Sequence, residues 1–192
     1  MKRNGFLQFL LTVGAMSAAP FRSLAAAKER KRVTEGFKVD STADRFGSPI
    51  KLFEGDTFTT KISTKDTEGD IYVFESSRMK EGGPSLHTHF EQDEWWYVLK
   101  GTFMIKVGEK TYEAKAGDSV FGPRMVPHSF SKVGEEEGKL LMIFQPAGKM
   151  EEFFTKISQG IAKNMTEAEQ DKLREEHGFK RVGPPLGTFK KW

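Results

Sequence analysis

The sequence predicts an all-β domain, a sandwich or closed barrel, carrying an N-terminal arm and C-terminal helices. Short runs rich in β-branched and aromatic residues recur between Asp70 and Phe144. Glycine and Gly-Pro breaks separate them, as in sandwiches and barrels. After Pro146 the apolar spacing changes from a strand period to a helical one. At 192 residues the chain suits one domain with a sizeable core.

Residues 1–27 are expected to be a secretory signal peptide. Lys2 and Arg3 form a basic start, and Phe6 to Ala19 is mostly apolar and uncharged. Ser23-Leu24-Ala25-Ala26-Ala27 offers small residues for cleavage. The stretch is short for a bilayer span and is interrupted by Gly14 and Pro20, so no span is expected in the mature protein. Lys2-Arg3-Asn4-Gly5-Phe6-Leu7 resembles a twin-arginine export signal with Lys for the first Arg, which leaves the export route open. The expectation is an exported protein, periplasmic or secreted.

The leader carries Lys2, Arg3 and Arg22 and no acid, so without it the net charge of +3 falls to zero, with 27 basic against 27 acidic side chains. That balance gives no case for a nucleic-acid partner. The chain has no Cys, which removes disulfides, thiolate ligands and cysteine nucleophiles together.

Residues 28–69 are polar and turn-rich and read as an arm packing on the barrel through Phe46, Ile50, Leu52 and Phe53. The barrel is placed at 70–148. Its expected strands are Ile71 to Phe74, Trp95 to Leu99, Phe103 to Val107, Thr111-Tyr112, Ser119 to Phe121 and Leu140 to Phe144, with a tight hairpin at Gly108-Glu109. Residues 149–192 read as a helical segment and tail. Met150, Phe153, Phe154, Ile157 and Ile161 mark one helix face. Thr166-x-x-Glu169 is a capping box for a second helix, which stops at Gly178. His177 falls at that helix end, where an imidazole sits well against the helix dipole.

The chemistry is concentrated in HTHFEQDE, residues 87–94. His87 and His89 are two residues apart on a strand and present two imidazoles on one face. A polar break at Phe90 to Asp93 lets Glu94 begin a new strand and face the same space. His128 follows downstream, held by Pro123 and Pro127. Three imidazoles and a carboxylate suit one divalent transition metal, and without sulfur ligands Fe, Mn, Ni, Co, Zn and Cu all stay open.

Gly82-x4-His87-x-His89-x4-Glu94-x6-Gly101 resembles the first cupin motif, and Gly117-x5-Pro123-x-Met125-x2-His128 resembles the second. Met125 stands for a common glycine and Lys132 for a common asparagine. The resemblance implies a cupin jelly-roll β-barrel with His87, His89, Glu94 and His128 as metal ligands. Leu86 to Leu99, Pro123 to His128, Pro146-Ala147-Gly148 and Val182 to Leu186 are similar, more narrowly, to single-domain quercetin-dioxygenase-type cupins. That likeness implies a metal-dependent dioxygenase acting on an aromatic or enolic compound, with Glu94 as ligand and catalytic base. A non-catalytic binding cupin and a metal-dependent isomerase or lyase stand as alternatives.

Counting by twos from Glu94 and His128 places Trp96, Val98, Val126 and Phe130 around the substrate. Phe103 or Met104 and Met142 or Phe144 would complete the wall, and Arg124 is the one basic residue suggested near the site. Such a cavity suits a flat apolar substrate. Trp95, Tyr97 and Leu99 point the other way and offer a seam for a homodimer.

Overall fold

Two antiparallel sheets face each other and enclose the aromatic core. The computed structural model describes residues 32–52 and 55–187. The expected signal peptide at 1–27, Phe53 and the final five residues lie outside the described residues. In chain order the strands are β1 (Ile50–Lys51), β2 (Asp56–Ile62), β3 (Tyr72–Arg78), β4 (Ser85–His89), β5 (Asp93–Lys100), β6 (Thr102–Val107), β7 (Lys110–Lys115), β8 (Ser119–Gly122), β9 (His128–Val133), β10 (Gly138–Gln145) and β11 (Phe179–Pro185). The helices are α1 (Thr64–Thr67), α2 (Met150–Ser158) and α3 (Glu167–Glu176), with a 3-10 turn at Ile161–Asn164 before α3. Among the described residues no helix is long and apolar enough to cross a membrane.

One sheet runs β1-β2-β3-β10-β5-β8 and the other β11-β4-β9-β6-β7, the two faces of a jelly roll. Strand alternation explains the core. Glu94, Trp96 and Val98 of β5 are buried while Trp95 and Tyr97 on the other face are half-buried. Tyr72 and Phe74 of β3, Leu140, Met142 and Phe144 of β10, and Phe103 and Ile105 of β6 fill the same cluster. β9 is buried along its whole length. The Ser129 hydroxyl donates to the Pro84 carbonyl and that of Ser131 to the Gly187 carbonyl, both at 2.7 Å. Lys132, in place of the motif's asparagine, is also buried. Its ammonium donates to the carbonyls of Gly134 and Glu136 and closes the turn toward β10.

The sheet begins earlier than expected. Part of the stretch read as an arm supplies β1 and β2, and β2 pairs with β3 from Asp56 to Ile62. Asp56, Phe58 and Thr60 point inward in alternation, but threonines in place of aliphatics made the segment read as polar. The C-terminal tail also differs, because β11 adds an edge strand beside β4. The capping box at Thr166 and Glu169 is present as expected. Helix α2 stops at Ser158, short of Ile161, because Gly160 takes a left-handed φ of 84°.

Gly83 shows how tightly the two sides of the site are built. A β-carbon there would lie 1.8 Å from the Phe130 carbonyl oxygen, and backbone cannot rotate away. Gly83→Ala should therefore cost about 3 kcal/mol or more of stability through a forced shift of β4 or β9. Gly36→Ala, with open space around it, should stay within about 0.5 kcal/mol. Chemical denaturation of both variants checks the contrast, and equal effects would contradict it.

Candidate metal centre

His87 on β4 stands directly opposite His128 on β9. Partners across a ladder project to the same face, and His89 joins them two residues on. Glu94 arrives from β5 in the other sheet. Glu94 Oε2 lies 3.2 Å from the Nε2 atoms of His89 and His128 and 3.6 Å from that of His87. The four candidate ligand atoms all fall within 4.8 Å of one another, and His89, Glu94 and His128 are fully enclosed or nearly so.

Two of the rings are fixed by the backbone. His87 Nδ1 lies 2.7 Å from the Ser85 carbonyl oxygen and His128 Nδ1 lies 2.9 Å from that of Val126. A carbonyl only accepts, so each Nδ1 carries the proton and each Nε2 turns its lone pair inward. The Val126 carbonyl follows a tight turn in which Met125 adopts φ 63° and its N–H donates to the His89 carbonyl at 2.8 Å. A glycine is common at this place in the resembled motif because the left-handed region strains other residues.

The electrostatics follow from that crowding. Burial lowers the pKa of His89 to about 4, against the opposing pull of Glu94. Burial acts to raise Glu94, but the surrounding His128, His87 and His89 outweigh it and hold the carboxyl well below the usual range. His87 and His128 can donate from Nε2 only as imidazolium, since their Nδ1 protons are already committed. The four groups therefore share a point around either extra protons or a metal cation. At neutral pH a divalent metal satisfies three inward lone pairs and one carboxylate together. The residues fit such an ion.

His87, His89 and Glu94 open onto a cavity of about 630 Å³. Phe58, Phe130, Phe144, Phe153, Phe154 and Phe179 wall it, with Leu52, Met142 and Met150. Of the residues expected around the substrate, Phe130 lines this cavity. Trp96 and Val98 face inward but deeper in the core, where the Trp96 ring packs 5.3 Å from that of His128. Alternation assigns the face of a strand and leaves depth along the barrel open. Val126 contributes its carbonyl to His128, and its side chain does not line the cavity. Phe103 is also core, whereas Met142 and Phe144 both line the wall. Arg124 is bound to Asp93 at 2.7 Å and lies outside the cavity. The basic residues that do line it are Lys163, Arg174 and Arg181 from the C-terminal segment. His177 takes no part in the cluster. It caps α3, with Nδ1 donating to the Leu173 carbonyl at 2.6 Å.

Fold and site together define a jelly-roll barrel whose three-histidine, one-glutamate cluster could hold a metal ion and opens onto a largely apolar cavity. The barrel has the cupin jelly-roll fold, and residues 73–144 match the cupin domain family. An uncharacterized protein of Methanocaldococcus jannaschii is 30% identical over 61 residues, covering 32% of this chain and 49% of the relative. The match thus spans about half of that relative's length. Among solved structures, KdgF from Halomonas sp. is similar with TM-score 0.50 and 17% identity, over 59% of this chain and 94% of that one. An RmlC-like cupin from Shewanella frigidimarina gives TM-score 0.47 and 20% identity, over 59% and 92% of the two chains.

The burial of His89 predicts an acid-labile apo protein. An unfolded His89 binds a proton near 6.5, whereas the native ring resists it down to about 4. The unfolded state thus binds more protons across this window, and native stability falls as pH falls, by on the order of 3 kcal/mol. His89→Gln should flatten that slope. Denaturation of metal-free protein between neutral pH and about 4 checks this; a slope unaltered by the substitution would contradict it.

Proposed function

We propose that this chain is a metal-dependent cupin dioxygenase, quercetinase-like, that cleaves an aromatic or enolic small molecule with O2. One observation carries the reading. The metal cluster opens onto a cavity of about 630 Å³ whose wall is mainly aromatic, dimensions suited to a flat molecule of metabolite size.

A bound transition metal would supply Lewis acidity toward a substrate oxygen and redox capacity toward O2. The chain's own residues supply the rest. Phe58, Phe130, Phe144 and Phe179 orient a planar ring and exclude water. Helix α2 contributes Phe153, Phe154 and Ile157 to the same cover. Glu94 is ionised at neutral pH and offers carboxylate oxygen to a substrate hydroxyl proton. A carboxylate is a weak base, which suits an acidic enol or phenol over an aliphatic alcohol.

The alternatives separate on one further observation. The other carboxylate lining the cavity, Asp56, is held in a buried ion pair with Arg78. That weighs against an isomerase or lyase needing two acid–base groups, and leaves a binding cupin as the second reading. Work outside the cytoplasm is part of the proposal and rests on the pattern of residues 1–27. So is a homodimer through the outer face of β5. Its support is the exposed Phe121, 56% accessible, directly across from Trp95, and a dimer mass in light scattering checks it.

Metal-loaded protein should consume oxygen with a flavonol or catechol panel. Joint replacement of His87 and His89 by Ala should abolish metal retention. Glu94→Gln should keep metal on three imidazoles but lower turnover by about two to four orders of magnitude. Tight binding of a panel member without oxygen uptake would replace the dioxygenase by the binding reading.

A further inference from the structure

We propose that the ligand of this cavity carries an anionic group, a carboxylate, read by Arg181, Arg174 and Lys163. The inference rests on the reading of the cavity as a small-molecule site and names the class of molecule it takes.

Register places the first of these cations beside the metal cluster. In the β11–β4 ladder Arg181 pairs with His87 and Phe179 pairs with His89. Paired residues share a face, with β-carbons about 5 Å apart. Arg181 therefore stands one strand from a metal ligand, on the cavity side, while Lys180 and Val182 point to solvent. Its guanidinium is steered by Asp171 and Glu167 of α3, each at 3.0 Å. Arg174 shares that same Asp171 at 2.7 Å and also donates to Gln170 Oε1 at 3.3 Å. Two guanidinium groups are thus held in a fork around one carboxylate. Each has five N–H donors, more than those acids take up.

The cations reach the cavity surface and their acids do not. Asp171 and Glu167 pair with the guanidinium groups without lining the cavity, whereas Arg174, Arg181 and Lys163 do line it. Lys163, on the 3-10 turn, has no acidic partner among the described residues. The two carboxylates that do line the space are both occupied, Glu94 by the imidazoles and Asp56 by Arg78. An aromatic ligand entering between the phenylalanines meets a metal cluster and a cationic flank. A carboxylate on that ring would pair with a preorganised guanidinium, the geometry in which charge-assisted hydrogen bonds are strongest. All three cations lie outside residues 73–144, the part that matches the cupin domain. Selectivity would then be an addition to the barrel, carried by its C-terminal segment.

The test compares 3,4-dihydroxybenzoate with catechol on metal-loaded protein by calorimetry. The two share the chelating ring and differ in the carboxylate. The acid should bind at least about tenfold more tightly, and added salt should narrow the gap. Arg181→Gln should cut the preference by about threefold or more and leave catechol affinity unchanged. Lys163→Gln, on an exposed turn that tolerates change, should act in the same direction, and Arg181→Lys should restore part of the preference. Equal affinity for the two ligands, or equal weakening of both by Arg181→Gln, would overturn the inference and assign the arginines a structural role. Catechol bound without preference leaves the metal cavity standing. Loss of metal retention, or binding of neither ligand, brings down the reading of the site and this inference with it.

Discussion

Three imidazole nitrogens and one carboxylate oxygen converge between the two sheets, and the placement of most nearby residues follows from that meeting. His87, His89 and His128 come from one sheet and Glu94 from the other. So deeply buried, inward lone pairs repel one another and an ionised carboxylate is poorly solvated. A bound cation would reverse both terms and clamp the sheets at the same point. The Ser85 and Val126 carbonyls hold two rings in the ligating tautomer, as outer partners of metal-bound histidines do. The left-handed Met125 and the contact at Gly83 are local costs of holding those carbonyls and strands where the cluster needs them.

The C-terminal segment gives the cluster a room of its own. A β-barrel edge beside β4 would leave backbone groups exposed next to the ligands. β11 covers that edge, ending in Pro184 and Pro185, residues tolerated on an outer strand. The cover is seated on the loop between the ligands. Buried Gln92 lies against Gly148 and Gly178, and a β-carbon at either would fall 1.9 or 2.8 Å from its amide nitrogen. His177 ties the two helices, accepting from Lys156 of α2 at 3.2 Å while capping α3. These contacts bring the phenylalanines of α2 and the cations of α3 and β11 to one cavity.

Much of this was legible in the sequence where the information is local. His87, His89 and Glu94 share short spacings, His128 sits in a second short motif held by prolines, and i, i+2 on a strand is a geometric rule. Strands β3, β5, β6 and β10 announce themselves through aliphatic and aromatic runs. β2 did not, since Thr57, Thr59 and Thr60 mask its alternation. β11 did not, since Gly183-Pro184-Pro185 reads as a tail until its partner β4 is known. The same dependence on pairing hid Arg181, which faces the cavity only because it stands across from His87. Trp96 and Val98 were assigned the correct face, yet depth along a barrel has no period to read.

X-ray absorption spectroscopy of the metal-loaded protein tests the central claim most directly. A single site with three imidazole nitrogens and one carboxylate should give first-shell distances of about 2.0–2.2 Å, with outer-shell scattering from three histidine rings. A shell of oxygen alone, or scattering from fewer than two imidazoles, would show that the ion binds elsewhere and that the four residues are not its cage.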